Sequence, residues 1–238
     1  MPEPILSISG LEAYYGKSHV LQGVDLYLNP AELVVVVGRN GMGKTTLLKS
    51  ILGYPPVKRQ GRIMFQNEEI VHKQTHQIAA SGLGYVPQGR LLFPSLSVEE
   101  HLRLAGARQR PGGKKWTTRE IYRLFPEIER RAQVGGCRLS GGEQQMLAIA
   151  RALMTGPSLL MMDEPSEGLS QSVIERVEQI CRHLIAAGVT ILLVEQNLEM
   201  AQTLADRAYV FLNGQVALEQ TGEDFRKNPE RVRSYLGV

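Results

Sequence analysis

Glu32 to Leu52 reads ELVVVVGRNGMGKTTLLKSIL, and this stretch decides the fold. The apolar β-branched run Val34-Val35-Val36-Val37 predicts a buried parallel strand. Lys44 to Leu52 predicts a helix. Between them Gly38-Arg39-Asn40-Gly41-Met42-Gly43-Lys44-Thr45 fits G-x-x-x-x-G-K-[ST], with Thr46 next. Phosphate binding needs this order of parts. Glycines let the backbone fold tightly, so that several N–H groups point at one anion. The helix that follows adds about half a positive charge at its N-terminus. Lys44 supplies a full charge for the β- and γ-phosphates, and the Thr45 hydroxyl suits Mg²⁺. An ordinary Gly-rich turn is the plain alternative. The pattern arises by chance in about one in a hundred such chains, so nucleotide binding is the expectation.

Composition sets bounds. The chain has 238 residues, 43% of them hydrophobic and 21% charged, which suits one large domain or two small ones with a real core. A formal charge of +3 with no long like-charged block does not point to nucleic acid. Cys137 and Cys181 lack metal-ligand spacing and read as reduced thiols of a cytosolic protein. The start MPEPILSISG has neither the basic end nor the apolar core of a signal peptide. Apolar runs are short, so no membrane span is expected, and any membrane role must come through a partner.

Along the chain, Ile5 to Leu11 and Val20 to Leu28 predict strands joined by a loop over Glu12 to His19. In that loop Tyr15, before Gly16, can stack on a purine or pack on its own strand. Gly61 to Glu69 predicts a hairpin strand and His76 to Ser81 a short helix. His72 and His76 have helical spacing but no third ligand. Leu83 to Val86 is a buried strand leading into Pro87-Gln88-Gly89-Arg90, where Gln88 stands at the sheet's edge. Leu91 to Val134 looks like a helical insert, starting with a capping-box-like Ser97-Val98-Glu99-Glu100 and including a basic loop over residues 108–115. Leu139-Ser140-Gly141-Gly142-Glu143-Gln144-Gln145 opens a long helix, with Ser140 a good N-cap and Gly141 and Gly142 leaving N–H groups open.

The apolar strand Ser158 to Met162 runs straight into Asp163-Glu164-Pro165. Two carboxylates at a buried strand's end are costly without a task. Asp163 can hold Mg²⁺, and Glu164 can accept a proton from an attacking water. A helix over Ser170 to Ala187, a strand over Val189 to Val194 ending in Glu195-Gln196-Asn197, a helix over Leu198 to Ala205, a hairpin turning at Asn213-Gly214 and two short helices complete the chain. Alternating strands and helices give an α/β fold, a largely parallel sheet with helices on both faces.

Taken together these stretches resemble the ATP-binding subunit of ABC transporters, over nearly the whole chain and in the family's motif order. The phosphate loop is Gly38 to Thr46, the glutamine loop Gln88, the signature LSGGEQ at Leu139 to Gln144, the acidic strand end Asp163-Glu164, and the D-loop Ser166-Glu167-Gly168-Leu169. The resemblance implies a P-loop NTPase (RecA-like) core with an antiparallel β subdomain, residues 1–90 and 157–238, and a helical subdomain, residues 91–156. It implies ATP and Mg²⁺ as ligands, Tyr15 as the adenine-stacking aromatic, Gln88 as sensor of Mg²⁺ and water, and Glu164 as catalytic base. It also implies a second ATPase subunit facing this one head to tail, with Ser140, Gly141 and Gly142 acting on the partner's ATP. Two membrane permease subunits and, indirectly, a substrate-binding protein complete the expected assembly, on the cytoplasmic face of the membrane.

One position departs from the family pattern. Most members carry a histidine after the last core strand, contacting the γ-phosphate, where this chain has Gln196. An amide can hydrogen-bond a phosphate but cannot carry an imidazolium's charge. VEQN, PSEGL and GYVPQGR are similar to one branch, the second ATPase subunit of branched-chain amino acid importers, which implies two unequal ATP sites. Urea or short-chain amide importers fit PQGR too. A soluble ABC protein acting on ribosomes or DNA would usually add a second cassette or a coiled-coil insertion. Lipid export by a single cassette also stays open, whereas a simple kinase or GTPase leaves LSGGEQ unexplained.

Overall fold

A computed structural model describes residues 3–110 and 112–237. Two sheets are packed together. The first is antiparallel and four-stranded, built from β1 (Leu6–Tyr15), β2 (Ser18–Leu28), β4 (Lys58–Phe65) and β5 (Glu68–Glu69) in the order β2-β1-β4-β5. The second has six strands, β3 (Leu33–Val37), β6 (Leu83–Val86), β7 (Leu159–Asp163), β8 (Thr190–Glu195), β9 (Arg207–Leu212) and β10 (Gln215–Thr221), in the order β10-β9-β3-β8-β7-β6. The five strands from β9 to β6 are parallel to one another and β10 is antiparallel to β9. This is the expected α/β arrangement with a mostly parallel core sheet.

The central strands are apolar on both faces, as a sheet covered on both sides requires. Val34 and Val36 join one hydrophobic cluster, shared with the antiparallel sheet and with α1 (Lys44–Leu52) and α2 (Thr75–Ala80). Val35 and Val37 join the other. That second cluster takes in α3 (Val98–Gly106), α4 (Thr118–Leu124), α5 (Pro126–Glu129), α6 (Gly141–Leu153) and α7 (Gln171–Ala186). It continues through α8 (Leu198–Leu204), α9 (Gly222–Lys227) and α10 (Pro229–Leu236).

The first two strands correct the expectation. They are joined only by Gly16 and Lys17, so Tyr14 and Tyr15 end a strand and do not lie in a loop. Register shifts between Ile8 and Leu11, and again between Leu11 and Ala13, break the two-residue alternation that the sequence reading relied on. β4 likewise begins at Lys58, three residues before the expected Gly61, because its exposed polar start pairs with β1 through Ala13 and Arg59. Of the basic loop over residues 108–115, Pro111 lies outside the described residues, as do Met1 and Pro2 of the N-terminal stretch. His72 and His76 are both exposed. Among the described residues no helix is long and apolar enough to cross a membrane.

Candidate functional site

The loop from Gly38 to Gly43 links β3 to α1 at the carboxyl end of the sheet, where ligands gather in open α/β folds. Gly43 is the N-cap, at φ 97°, with no side-chain cap, and the first turn holds no acid. The positive end of α1 is therefore left open toward an anion. A Cβ on Gly43 would lie 2.9 Å from Leu21, so the loop can approach β2 only with glycine there.

Lys44 folds back over the loop. Its Nζ donates to the carbonyls of Gly38 at 2.7 Å and Arg39 at 3.1 Å. It also lies 3.1 Å from Oε1 of Glu164, both side chains being buried. A buried charge needs this kind of compensation. Next along α1, the Thr45 hydroxyl donates to Oδ1 of Asp163 at 3.1 Å, while Thr46 is packed inside.

β7 delivers the two acids. Asp163 ends the strand almost wholly buried, and burial is the main influence pushing its carboxyl above the usual carboxylate range. The hydroxyls of Thr45 and of Tyr85 in β6 act against that shift, the latter donating to Oδ2 at 3.2 Å. Glu164 follows at φ 48°, a left-handed conformation costing about 1–2 kcal/mol in a residue with a Cβ. Its N–H donates to Val194 of β8. The turn aims its carboxylate back at Lys44. Oε2 of Glu164 then accepts from Gln196 at 2.8 Å and from Gln88 at 3.3 Å. The Gln196 amide also donates to Asn40 of the phosphate loop, and Gln88 donates to Glu167 at 3.0 Å. Gln88 bonds the acid and the D-loop, and not Asp163 or Thr45.

Lys44, Thr45, Asn40, Gln88, Asp163, Glu164 and Gln196 thus converge from four separated stretches. Tyr15 is half-buried at the end of β1, two residues after Ala13, which pairs with Leu21 beside Gly43. Arg39, Gly41 and Met42 complete the loop, with Met42 donating to the Arg39 carbonyl.

The signature stands apart. Ser140 caps α6 with a full capping box. Its hydroxyl accepts from Glu143 N–H, and the Glu143 carboxylate accepts from Ser140 N–H at 2.8 Å. Gly141 and Gly142 sit in the first turn, where N–H groups have no carbonyl in their own helix. Among the described residues no hydrogen bond joins these three to the phosphate loop. Arg90 ties the helix to the D-loop instead, reaching Gln144 and the carbonyl of Glu167, each at 3.4 Å.

Sequence reasoning missed two residues of this region. Tyr85 gave no signal, because an aromatic in a core strand looks like packing. Glu195 did give one, since it closes an apolar strand just as Asp163 does. It is 1% exposed and its carboxylate accepts from Ser166 N–H and hydroxyl and from the N–H groups of Gln196 and Asn197, at 2.8–3.1 Å. Burial raises its pKa and those four donors oppose the rise. The D-loop and the Gln196 turn are therefore fastened to one buried acid.

Together the cluster can seat a polyphosphate, hold a hard cation on oxygen ligands and present a carboxylate to water. A hydroxyl and a carboxylate in contact, beside a phosphate site, suit Mg²⁺. A model of the family described as "ABC transporter" matches residues 21–167. The chain is 40% identical to the high-affinity branched-chain amino acid transport ATP-binding protein BraG of Pseudomonas aeruginosa, covering 98% of this chain and 100% of that one. It is 34% identical to the probable branched-chain amino acid transport ATP-binding protein LivF of Archaeoglobus fulgidus, covering 96% and 97%. Among solved structures, the ADP conformation of an ATP-binding cassette of an ABC transporter superposes with a TM-score of 0.82 at 28% identity, covering 99% and 100%.

Proposed function

The chain belongs to the ABC transporter family of ATPases, and from that membership we infer that it energises an importer of branched-chain or other neutral amino acids. The names of its relatives support the substrate class. The observation that carries the chemistry is the placing of Glu164 among Lys44, Gln88 and Gln196, with Asp163 and Thr45 beside it.

In this reading the uncapped end of α1 and Lys44 bind the β- and γ-phosphates of ATP, and Tyr15 stacks on adenine. Thr45 and Asp163 would hold Mg²⁺, with Gln88 as a further ligand, and the ion would offset charge developing on the phosphates. Glu164 takes the proton of the attacking water, a contribution of roughly 10²–10⁴ in rate. Gln196 and Gln88 orient that carboxylate. In the same reading residues 1–90 and 157–238 form the core and β subdomain, and residues 91–156 the helical subdomain.

Gly141 and Gly142 present open N–H groups, and Ser140 its hydroxyl, to the ATP held by a second cassette, so hydrolysis belongs to a pair. Membrane permease subunits dock in an apolar groove of about 550 Å³ between α2, β6 and α3. Tyr54, Phe93 and Leu104, large apolar side chains that are half exposed, line it. A continuous apolar lining of this kind marks an interaction surface, and a segment of a membrane protein is its occupant in this assignment.

The test is co-purification with its membrane partners, followed by reconstitution in vesicles with the cognate binding protein. ATP-dependent uptake of labelled leucine or valine is expected. Uptake of urea or a short amide alone would move the substrate to the other branch, and ATPase activity without any membrane partner in native extracts would sink the transport reading.

A further inference from the structure

Both oxygens of the Asp163 carboxylate are held by hydroxyls, Oδ1 by Thr45 at 3.1 Å and Oδ2 by Tyr85 at 3.2 Å. Thr45 already belongs to the phosphate site. Tyr85 does not, and nothing in the loop motifs points to it. It lies on β6, paired in parallel register with Met161 of β7, two residues before Asp163. Met161 and Asp163 share a face of the sheet, since side chains alternate. A side chain at this register must reach about 7 Å along the strand to touch the acid. A phenol spans that distance with its ring body still packed against the hydrophobic cluster below.

We propose that Tyr85 is a positioning residue for the divalent cation: its hydroxyl fixes the rotation of the Asp163 carboxylate so that Oδ1 is presented beside the Thr45 hydroxyl. The proposal rests on the reading that Thr45 and Asp163 hold that cation. The terminal torsion of an aspartate is broad when nothing holds it. Mg²⁺ demands near-octahedral geometry from few protein ligands, so a turned carboxylate weakens binding. Hydrogen-bond partners of ligating groups commonly contribute 10–100-fold in metal affinity.

The experiment titrates Mn²⁺ into wild type, Tyr85→Phe and Asp163→Asn, each saturated with a non-hydrolysable ATP analogue, and follows free Mn²⁺ by electron paramagnetic resonance. Tyr85→Phe removes one oxygen and leaves the ring, so its melting temperature and its affinity for metal-free fluorescent nucleotide are expected to match wild type. Its Mn²⁺ affinity is expected to fall about tenfold. The Mg²⁺ concentration giving half-maximal ATPase should rise by the same factor, with kcat retained at saturating Mg²⁺. Wild-type Mn²⁺ affinity in Tyr85→Phe overturns the proposal, as does an equal loss of metal-free nucleotide binding. Undiminished Mn²⁺ binding by Asp163→Asn would remove the cation site itself, a different failure.

Discussion

The ammonium of Lys44 lies 3.1 Å from Oε1 of Glu164, and the two side chains are only 3% and 7% exposed. The proposed phosphate-binding cation and the proposed water-activating acid are thus each other's counter-ion. Removing one partner of a buried pair strands the other, at a cost of about 3–5 kcal/mol. Gln88 and Gln196 still donate to the acid, so Lys44→Ala should lose somewhat less than this in thermal or denaturant unfolding, and should lose nucleotide binding. Glu164→Gln should keep nucleotide and drop hydrolysis roughly 10²–10⁴-fold. The double variant should be more stable than the sum of the two single losses allows.

Gln196 bridges Glu164 and Asn40, so it touches both the acid and the phosphate loop. A hydrogen bond to a charged group contributes about 1.5–3 kcal/mol. Gln196→Ala in the assembled complex should therefore lower ATPase turnover about tenfold or more, and Gln196→His should give a rate different from wild type. Equal rates for all three would leave the residue without a special role.

Ser140 has two separable tasks. As the cap of α6 its hydroxyl contributes about 1 kcal/mol, so Ser140→Ala should lower the melting temperature of the isolated chain by a few degrees. Ser140→Arg should abolish turnover of the assembly, while the chain's own nucleotide binding survives. Nucleotide binding is measured on the isolated chain and turnover on the assembly, which keeps the two effects apart.

Arg59 holds the far end of the phosphate-binding helix. Its guanidinium donates to the carbonyls of Ser50 and Ile51 in α1 and to those of Ile70, Val71 and Lys73. A cation at a helix C-terminus is favourable, and orphaned buried carbonyls are not. Arg59→Met should cost about 2–4 kcal/mol in denaturant unfolding. Arg59→Lys, with a single ammonium that cannot reach all five, should recover only part.

His101 is fully buried beneath the groove, with Phe93 N–H donating to Nε2 at 3.0 Å and Nδ1 bonded to the Ser97 carbonyl at 2.8 Å. That pattern fits a neutral ring. Burial lowers its pKa, Arg151 lowers it further, and Ser97 and Glu100 act the other way. The unfolded chain therefore takes up the proton first as pH falls. Stability from this site is fully present above about pH 6.5 and declines below it, toward the depressed folded value. Melting temperatures measured from pH 7.5 to 5 should fall more steeply in wild type than in His101→Gln.

The parts of the fold that were legible in the sequence have local causes. Four valines in a row leave little choice but a covered strand, and Ser97 announces its helix through a four-residue capping box as Ser140 announces its own as an N-cap. The strand ends at Asp163 and Glu164 were legible because acids rarely close an apolar run. Tyr14 and Tyr15 were misplaced because irregular register in β1 erases the alternation that marks a strand. The bonds from Tyr85 to Asp163 and from Ser166 to Glu195 span 78 and 29 residues. They arise from the order of strands β6, β7 and β8 in the sheet, which no short stretch of sequence encodes.

The valines of β3 point alternately into two separate apolar layers, and Leu160, Met161, Leu192 and Leu193 do the same in the neighbouring strands. The floor beneath the phosphate loop is thus gripped from above and below. Its amides should be the slowest in the chain to exchange with deuterated solvent. A sheet packed on both faces resists bending, which makes this floor a stiff mount for the loop it carries.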